Sequence, residues 1–158
     1  MKNSKKALTW IVGILKKHNV HFQISGGLAA RVYGAIRELA DIDVYVSSEC
    51  FEKIKKDTQR FIIKGPKAYK DDQWRVWYVA LKYCGQEIEL CDAANTYFFD
   101  KTRGKWIKQK INFQHSNLKE VFGLKVPVMA KAELIAYKKR IQRRVDIIDI
   151  KQLLKVKE

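Results

Sequence analysis

"ISGGLAARVYGAIRELADIDVYV", residues 24–46, joins an apolar segment to two glycines, a helix-like segment and two aspartates that alternate with apolar residues. Successive side chains of a strand point to opposite faces, so Asp41 and Asp43 share one face of a strand predicted at about 42–46. Their charges repel each other unless a cation lies between them. Solvated acids on an exposed strand are the commoner origin of a lone Asp-x-Asp, so this pair needs further support.

The two glycines supply part of that support. Gly26 and Gly27 stand between a strand predicted at 20–25 and a helix predicted at about 28–37. Free backbone N–H groups at a helix N-terminus favour a phosphate, and Mg²⁺ takes one or two carboxylates plus phosphate oxygens. Ser25 offers a hydroxyl to the same phosphate or to its own backbone. A Gly-Gly pair is also typical of a tight turn, and both interpretations stay open.

A third acid is predicted on a neighbouring strand. The segment "VWYVALKYCGQEIELCD" predicts a hairpin that turns at Cys84-Gly85, within a strand-rich region at 60–92. Counting outward from the turn places Lys82 opposite Glu87 and Ala80 opposite Glu89. Glu89 then has a small neighbour that leaves room for an ion, whereas Glu87 is matched by a lysine. A structural role for Glu89, paired diagonally with Lys82, remains equally open.

The rest of the chain predicts one domain, residues 1–158, with a helical C-terminal part at about 127–158 and no internal repeat. "SSECFEKIKK" predicts a capped helix with Phe51 and Ile54 inward, and 93–126 is predicted to be irregular. Further helices are predicted at 4–17, 130–142 and 145–154, the last two after Pro127. Asp146 and Asp149 are expected to cap and orient the last helix.

Composition narrows the partners. Lys and Arg number 32 against 17 Asp and Glu, which gives a net charge of +15 and a pI near 9.8. Such a surface attracts polyanions or anionic small molecules. Lys16, Lys17 and His18 interrupt the apolar stretch near the N-terminus, so no signal peptide is predicted and no membrane partner is expected. The three cysteines include no CxxC pair and are expected to be reduced core thiols in a cytoplasmic protein.

These motifs resemble the minimal nucleotidyltransferase fold shared by DNA polymerase beta and CCA-adding enzymes. The order Gly-Gly, G-x-x-R, D-I-D, with the C-terminal segment "KAELIAYKKRIQRRVDIIDIKQL", is most similar to small antibiotic nucleotidyltransferases and nucleotidyltransferase-type toxins. The resemblance implies an α+β fold with a small mixed or antiparallel sheet flanked by helices. It touches both ends of the chain but not 50–75 or 93–126. Glu38-Leu39-Ala40 stands where that family often has a Thr.

The resemblance also implies roles for individual residues. Gly26 and Gly27 would cradle a nucleoside triphosphate, ATP being one of four candidates, and Ser25 could donate to a phosphate. Asp41 and Asp43 would hold Mg²⁺, or Mn²⁺ in its place, and Glu89 would be the third acid or the base. Arg37 and Lys138 would bring cations to the triphosphate, although Arg37 could instead pair with Glu38 or Asp41.

The acceptor is suggested by "FFDKTRGKWIKQKINFQ", residues 98–114, where cations alternate with aromatic rings. Lys105, Trp106 and Lys108 at its centre are candidate contacts to single-stranded RNA, and a solvated hairpin with core aromatics explains the pattern about as well. The expected function is nucleotide transfer to RNA, such as a tRNA end, with a protein antitoxin as a further partner. Transfer to a small molecule or a protein hydroxyl, and a non-catalytic nucleic-acid-binding module, are the alternatives.

Overall fold

The computed structural model describes residues 1–156, so the last two residues of the predicted domain and of its C-terminal helical part lie outside it. The helices are α1 (Ser4–Lys17), α2 (Gly26–Val32), α3 (Cys50–Lys53), α4 (Lys55–Thr58), α5 (Lys131–Ile141) and α6 (Arg144–Lys155). The strands are β1 (Phe22–Ser25), β2 (Asp41–Val46), β3 (Ile62–Lys70), β4 (Trp74–Tyr83), β5 (Gln86–Asp100), β6 (Lys105–Lys108), β7 (Asn117–Val121) and β8 (Leu124–Val128).

The strands form one mixed sheet in the order β3-β4-β5-β2-β1-β8-β7, and β6 adds to the far end of β5. β2 runs parallel to β5 and β1 parallel to β8, whereas the other neighbours are antiparallel. The prediction of an α+β fold with a mixed sheet and C-terminal helices is confirmed. The eight-stranded sheet is larger than expected, because strands also occupy the segments that the sequence left unassigned.

The core lies between α1 and one face of the central strands. Leu8, Ile11 and Leu15 recur at helical spacing and are fully buried. The strands contribute alternate residues to this core, among them Ile42, Val44, Ile88 and Leu90. The same alternation turns Asp41, Asp43 and Glu89 to the opposite face.

The hairpin between β4 and β5 has the predicted register. Tyr83 pairs with Gln86 and Ala80 with Glu89, and the turn residues Cys84 and Gly85 both have positive φ, at 49° and 74°. A two-residue turn of this kind matches the twist of the flanking strands. The prediction that all three cysteines are core thiols was wrong. Cys84 is exposed in the turn, Cys91 is partly exposed and Cys50 is buried.

Helix α2 is displaced from its predicted range of 28–37. It begins at Gly26 and ends at Val32, after which the N–H of Ala35 donates to the carbonyl of Ala30 and that of Gly34 to Arg31. Gly34 has a φ of +119°, so this is a Schellman stop that needs glycine at its left-handed position. The irregular segment that follows carries Arg37 toward the C-terminal helices.

Residues 93–126 are not irregular, and here the prediction was wrong. β5 continues to Asp100, β6 pairs with it, and β7 and β8 form a hairpin that turns at Phe122-Gly123. Pro127 lies inside β8 opposite Leu118 and does not lead directly into a helix. The edge strand β7 is largely exposed, so its sequence lacks the apolar alternation by which strands are recognised.

Smaller differences occur elsewhere. The single helix predicted from "SSECFEKIKK" is two short helices, α3 and α4, in which Ile54 is buried and Phe51 partly buried. The first strand begins at Phe22 instead of at residue 20. α5 and α6 confirm the two C-terminal helices, and Gln142, with a φ of +57°, separates them. Within residues 1–156, every helix is too short or too polar to cross a membrane.

Candidate active site

Three carboxylates meet where β1, β2 and β5 lie side by side. Asp43 is directly opposite Ser25 on β1 and Glu89 on β5, and Asp41 lies one step away on the same face. The ligand atoms of Asp41, Asp43 and Glu89 all lie within 4.8 Å of one another. We call these three side chains the acidic cluster, and they stand in a cleft of about 400 Å³.

The acidic cluster holds more negative charge than its surroundings neutralise. Burial and the charges of Asp41 and Glu89 raise the pKa of Asp43 well above its usual value. Burial also raises the pKa of Asp41 and of Glu89, helped by Glu87 beside the first and by Asp41 beside the second. Three half-buried carboxylates at this spacing suit a hard divalent cation such as Mg²⁺, which binds oxygen ligands.

Gly26 is required by the acidic cluster itself. A Cβ atom at this position would lie 2.1 Å from Oδ2 of Asp43, and its φ of +59° is rarely adopted by other residues. Gly27 has a different neighbour, since a Cβ there would lie 3.1 Å from Nη2 of Arg37. The glycine pair therefore lets α2 approach Asp43 on one side and Arg37 on the other. Ser25 and Gly26 line the cleft, and the Ser25 hydroxyl makes no capping bond to α2.

Lys138 and Arg143 face the acidic cluster from the C-terminal helices. The buried Nζ of Lys138 lies 3.1 Å from Oδ1 of Asp146 and 3.0 Å from Oδ2 of Asp149. Arg143 donates to both oxygens of Asp146 and lies 4.6 Å from the Trp74 ring centroid. Both cations line the cleft, and their charges act to lower the pKa of Asp43, against the larger effect of burial.

Arg37 belongs to the same group of ion pairs but lies outside the cleft lining. Its Nε and Nη2 donate to the two oxygens of Asp149 at 2.8 and 3.0 Å. Its partner is thus neither Glu38 nor Asp41, the two acids considered from the sequence. We call Arg37, Lys138, Arg143, Asp146 and Asp149 the anchor network. It contains three cations and two carboxylates, so it keeps one surplus positive charge.

Comparison with known proteins identifies the fold that the sequence resemblance implies. No protein-family model matches the sequence, and no curated protein matches it. A candidate nucleotidyltransferase from Thermotoga maritima superimposes with a TM-score of 0.69 at 22% identity, over 88% of this chain and 86% of the other. The lincosamide antibiotic adenylyltransferase LnuA, bound to lincomycin, does so with 0.65 at 12% identity, over 99% and 100%. ANT(2″)-Ia, in complex with adenylyl-2″-tobramycin, superimposes with a TM-score of 0.57 at 12% identity, over 96% of this chain and 87% of the other.

The chain has the nucleotidyltransferase fold. Of the residues assigned by resemblance, this fold brings six together in the cleft: Ser25, Gly26, Asp41, Asp43, Glu89 and Lys138. Gly27 and Arg37 lie just behind it, against each other. The expectation that Asp146 and Asp149 orient the last helix agrees with their contacts, because Asp146 forms a capping box with Arg143 and both acids hold cations.

Several cleft residues of this nucleotidyltransferase fold were missed by sequence reasoning. Lys64 of β3 approaches Glu89, and Arg143 begins the turn into α6. The cleft also has an aromatic end, where Nε1 of Trp74 donates to the hydroxyl of Tyr137 at 2.8 Å. Tyr45, Tyr69 and Tyr78 line the cleft as well. Alternation along β4 could have grouped Trp74 and Tyr78 with Ala80, but Arg143 gave no signal in a run of cations.

The candidate RNA contacts lie apart from the cleft lining. Lys105, Trp106 and Lys108 are all in β6, at the far end of β5. Lys105 pairs with Asp100, whereas Trp106 pairs with Phe99 and Lys108 with Tyr97, so Lys105 points to the sheet face opposite that of Lys108. Trp106 is partly exposed and both lysines are exposed.

Proposed function

We propose that the protein is a Mg²⁺-dependent nucleotidyltransferase that moves a nucleoside monophosphate from a nucleoside triphosphate to a hydroxyl acceptor and releases pyrophosphate. The observation that carries this proposal is the acidic cluster, three carboxylates that lie together in one cleft with Lys138 and Arg143 of the anchor network. The volume of about 400 Å³ suits one small ligand of nucleotide size. Antibiotic adenylyltransferases among the structures of the same fold support the reaction class.

Asp41 and Asp43 would hold Mg²⁺, or Mn²⁺ in its place, and Glu89 would complete the ligand set. The bound cation would lower the pKa of the acceptor hydroxyl and neutralise charge on the reacting phosphate. Glu89 stands at the side of the cluster nearest β4, beside the small side chain of Ala80. From this position Glu89 would alternatively accept the proton of the acceptor hydroxyl.

The positive side of the cleft would bind the triphosphate. Lys64, Lys138 and Arg143 line it, and phosphoryl transfer depends mostly on positioning and charge neutralisation. Asp146 holds Lys138 and Arg143 in fixed positions, so little reorganisation would be needed when the phosphates arrive. Gly26 and Gly27 would let the backbone approach the triphosphate closely, and Ser25 would offer it a hydroxyl group. Arg37 would act through Asp149 by fixing α6.

RNA, such as a tRNA end, is the acceptor that we favour, because a chain with a net charge of +15 attracts polyanions. A small hydroxyl compound is the second candidate. It is favoured by the likeness to LnuA bound to lincomycin and to ANT(2″)-Ia with adenylyl-2″-tobramycin. A protein antitoxin would be a further partner, and the resemblance to toxin-type members is its sole support.

The test is to incubate the protein with each labelled nucleoside triphosphate, Mg²⁺ and total RNA, with Asp43→Asn as the inactive control. We expect label to enter RNA with the wild-type protein but not with Asp43→Asn. Label that appears only in added small hydroxyl compounds would select the second acceptor class. Label that enters neither, from a folded protein that binds the triphosphate, would indicate a non-catalytic module and overturn the proposed reaction.

A further inference from the structure

The side of the sheet that is turned away from the cleft carries a second candidate functional surface. Val76 and Thr96 line the cleft, so the residues that alternate with them on β4 and β5 point the other way. Register with β3 and β6 extends this surface over four strands. We call it the outer face, and it consists of Ala68, Lys70, Arg75, Trp77, Tyr97, Phe99, Trp106 and Lys108.

One row of the outer face crosses all four strands. Lys70 pairs with Arg75, Arg75 with Tyr97, and Tyr97 with Lys108. Neighbouring strands are about 4.8 Å apart, so the row spans about 14 Å. Within it a single aromatic ring is flanked by cations on both sides.

Aromatic rings of the outer face are open to solvent. Trp77 is 41% exposed and Tyr97 40%, although side chains of this size are usually buried in a sheet. The guanidinium carbon of Arg75 lies 4.0 Å from the Trp106 ring centroid, and Phe99 packs on the edge of the same ring. The Arg75 plane thereby prolongs the stacking surface formed by Trp77 and Tyr97.

We propose that the outer face binds single-stranded RNA. Exposed rings accept stacked bases while adjacent cations follow the phosphates, and bases also stack on arginine planes. The outer face carries three cations and no acid, which makes a second copy of this positively charged chain a poor partner for it. A base-paired duplex would bind more weakly, because its bases cannot reach the rings.

The outer face connects to the cleft over the edge of the sheet. β3 is the edge strand, with Lys70 on the outer side and Lys64 and Lys67 on the cleft side. A strand of RNA that crosses β3 would meet cations on both sides before its end reaches the acidic cluster. This role in acceptor delivery rests on the proposed function, whereas binding itself requires neither a triphosphate nor Mg²⁺.

The experiment measures the fluorescence anisotropy of a labelled oligouridine of about 12 nucleotides, within the range that such surfaces cover. A duplex of equal length is the comparison, and all samples contain EDTA. Trp77→Ala and Tyr97→Ala should each weaken binding of the single strand by roughly 5- to 150-fold, the loss expected for one base stack. Both side chains are substantially exposed, and unchanged melting temperatures would show that these variants fold.

Lys105 and Lys108 form a matched pair that tests the electrostatic contribution to RNA binding. Lys108→Ala should lower the slope of log affinity against log salt by about 0.7, the value for one lost phosphate contact to a single strand. Lys105→Ala, three residues away on the opposite face, should leave that slope unchanged.

Asp43→Asn separates the two proposals, because it should abolish nucleotidyl transfer and keep wild-type RNA binding. The outer-face proposal is overturned if the wild-type protein does not bind oligouridine. It is also overturned if Trp77→Ala and Tyr97→Ala bind as tightly as the wild type, or if the duplex binds better than the single strand. A wild-type protein that binds oligouridine but transfers no nucleotide would instead count against the proposed reaction alone.

Discussion

Two groups of carboxylates near one cleft, the half-buried acidic cluster and the fully buried pair Asp146 and Asp149, have opposite electrostatic environments. Asp146 and Asp149 of α6 are completely buried, and each lies within hydrogen-bonding distance of two cationic side chains. In the acidic cluster, the charges with the largest effect on Asp43 are the like charges of Asp41 and Glu89. Burial opposes ionisation of Asp146, but hydrogen bonds from Arg143 and the charge of Lys138 outweigh it and lower its pKa. Burial and like charges instead raise the pKa of Asp43.

This difference separates acids that stabilise the fold from acids that are candidates to bind a ligand. A buried carboxylate with two cations at about 3 Å is stabilised by the folded protein itself. A cluster of three acids without such partners costs folding free energy, and a divalent cation would offset that cost. We therefore propose that the anchor network positions helices and cations, and that the acidic cluster binds the catalytic cation.

Replacing Asp43 should have the largest effect. Asp43→Asn should reduce nucleotidyl transfer by at least about a thousandfold, because a metal site contributes several kcal/mol to transition-state stabilisation. It should leave the melting temperature unchanged or raise it, since one of three repelling charges is removed. Transfer assays and thermal unfolding of the same preparation check both parts. A variant that fails to fold would show that Asp43 has a structural role and would remove the contrast.

Replacing an acid of the anchor network should have the reverse signature. Asp149→Ala leaves Arg37 without its bidentate partner and deprives Lys138 of one of two acids. The free energy of unfolding should fall by about 3 kcal/mol, the cost of removing one partner from a buried ion pair. Urea unfolding measures the loss, with Glu52→Ala on the exposed surface of α3 as the control, expected to change by less than about 0.5 kcal/mol. Equal stability of Asp149→Ala and wild type would contradict the assignment.

A smaller effect is expected in the pH dependence of stability. The lowered pKa of Asp146 means that its ionised form stabilises the folded state above its usual value of 3.8, and that this contribution is lost as the pH falls through the folded-state pKa. The stability difference between wild type and Asp146→Asn should thus be constant at neutral pH and shrink in acid. Unfolding curves recorded from neutral to strongly acidic pH measure it. A difference that grows as the pH falls would have the wrong sign.

Local sequence rules sufficed for the elements that set the acidic cluster. Alternation placed Asp41 with Asp43, and the Cys84-Gly85 turn fixed the register that puts Glu89 opposite Ala80. The Phe122-Gly123 turn has the same form, with φ values of 51° and 83°. It was not recognised, because the strands on either side are short and one of them is largely exposed.

The anchor network was beyond such rules, because its contacts depend on tertiary packing. Arg37 and Asp149 are 112 residues apart in sequence and meet only after the Gly34 turn redirects the chain. Arg143 stands among several arginines and lysines, and nothing in its local sequence distinguishes it from a solvated cation. Gly26 was assigned to a phosphate cradle, yet its contact with Asp43 gives a packing reason that only coordinates reveal.

The central claim, that the acidic cluster is a divalent-cation site, is tested most directly by electron paramagnetic resonance titration of Mn²⁺. Wild-type protein should bind Mn²⁺ more tightly when a nucleoside triphosphate is present, and Asp43→Asn should lose this binding. Glu87→Gln is the matched control, since Glu87 is an exposed acid on the same face, two residues from Glu89 and opposite Asp41. It should bind Mn²⁺ nearly as well as wild type. Mn²⁺ binding that is equal in wild type and Asp43→Asn would contradict the account.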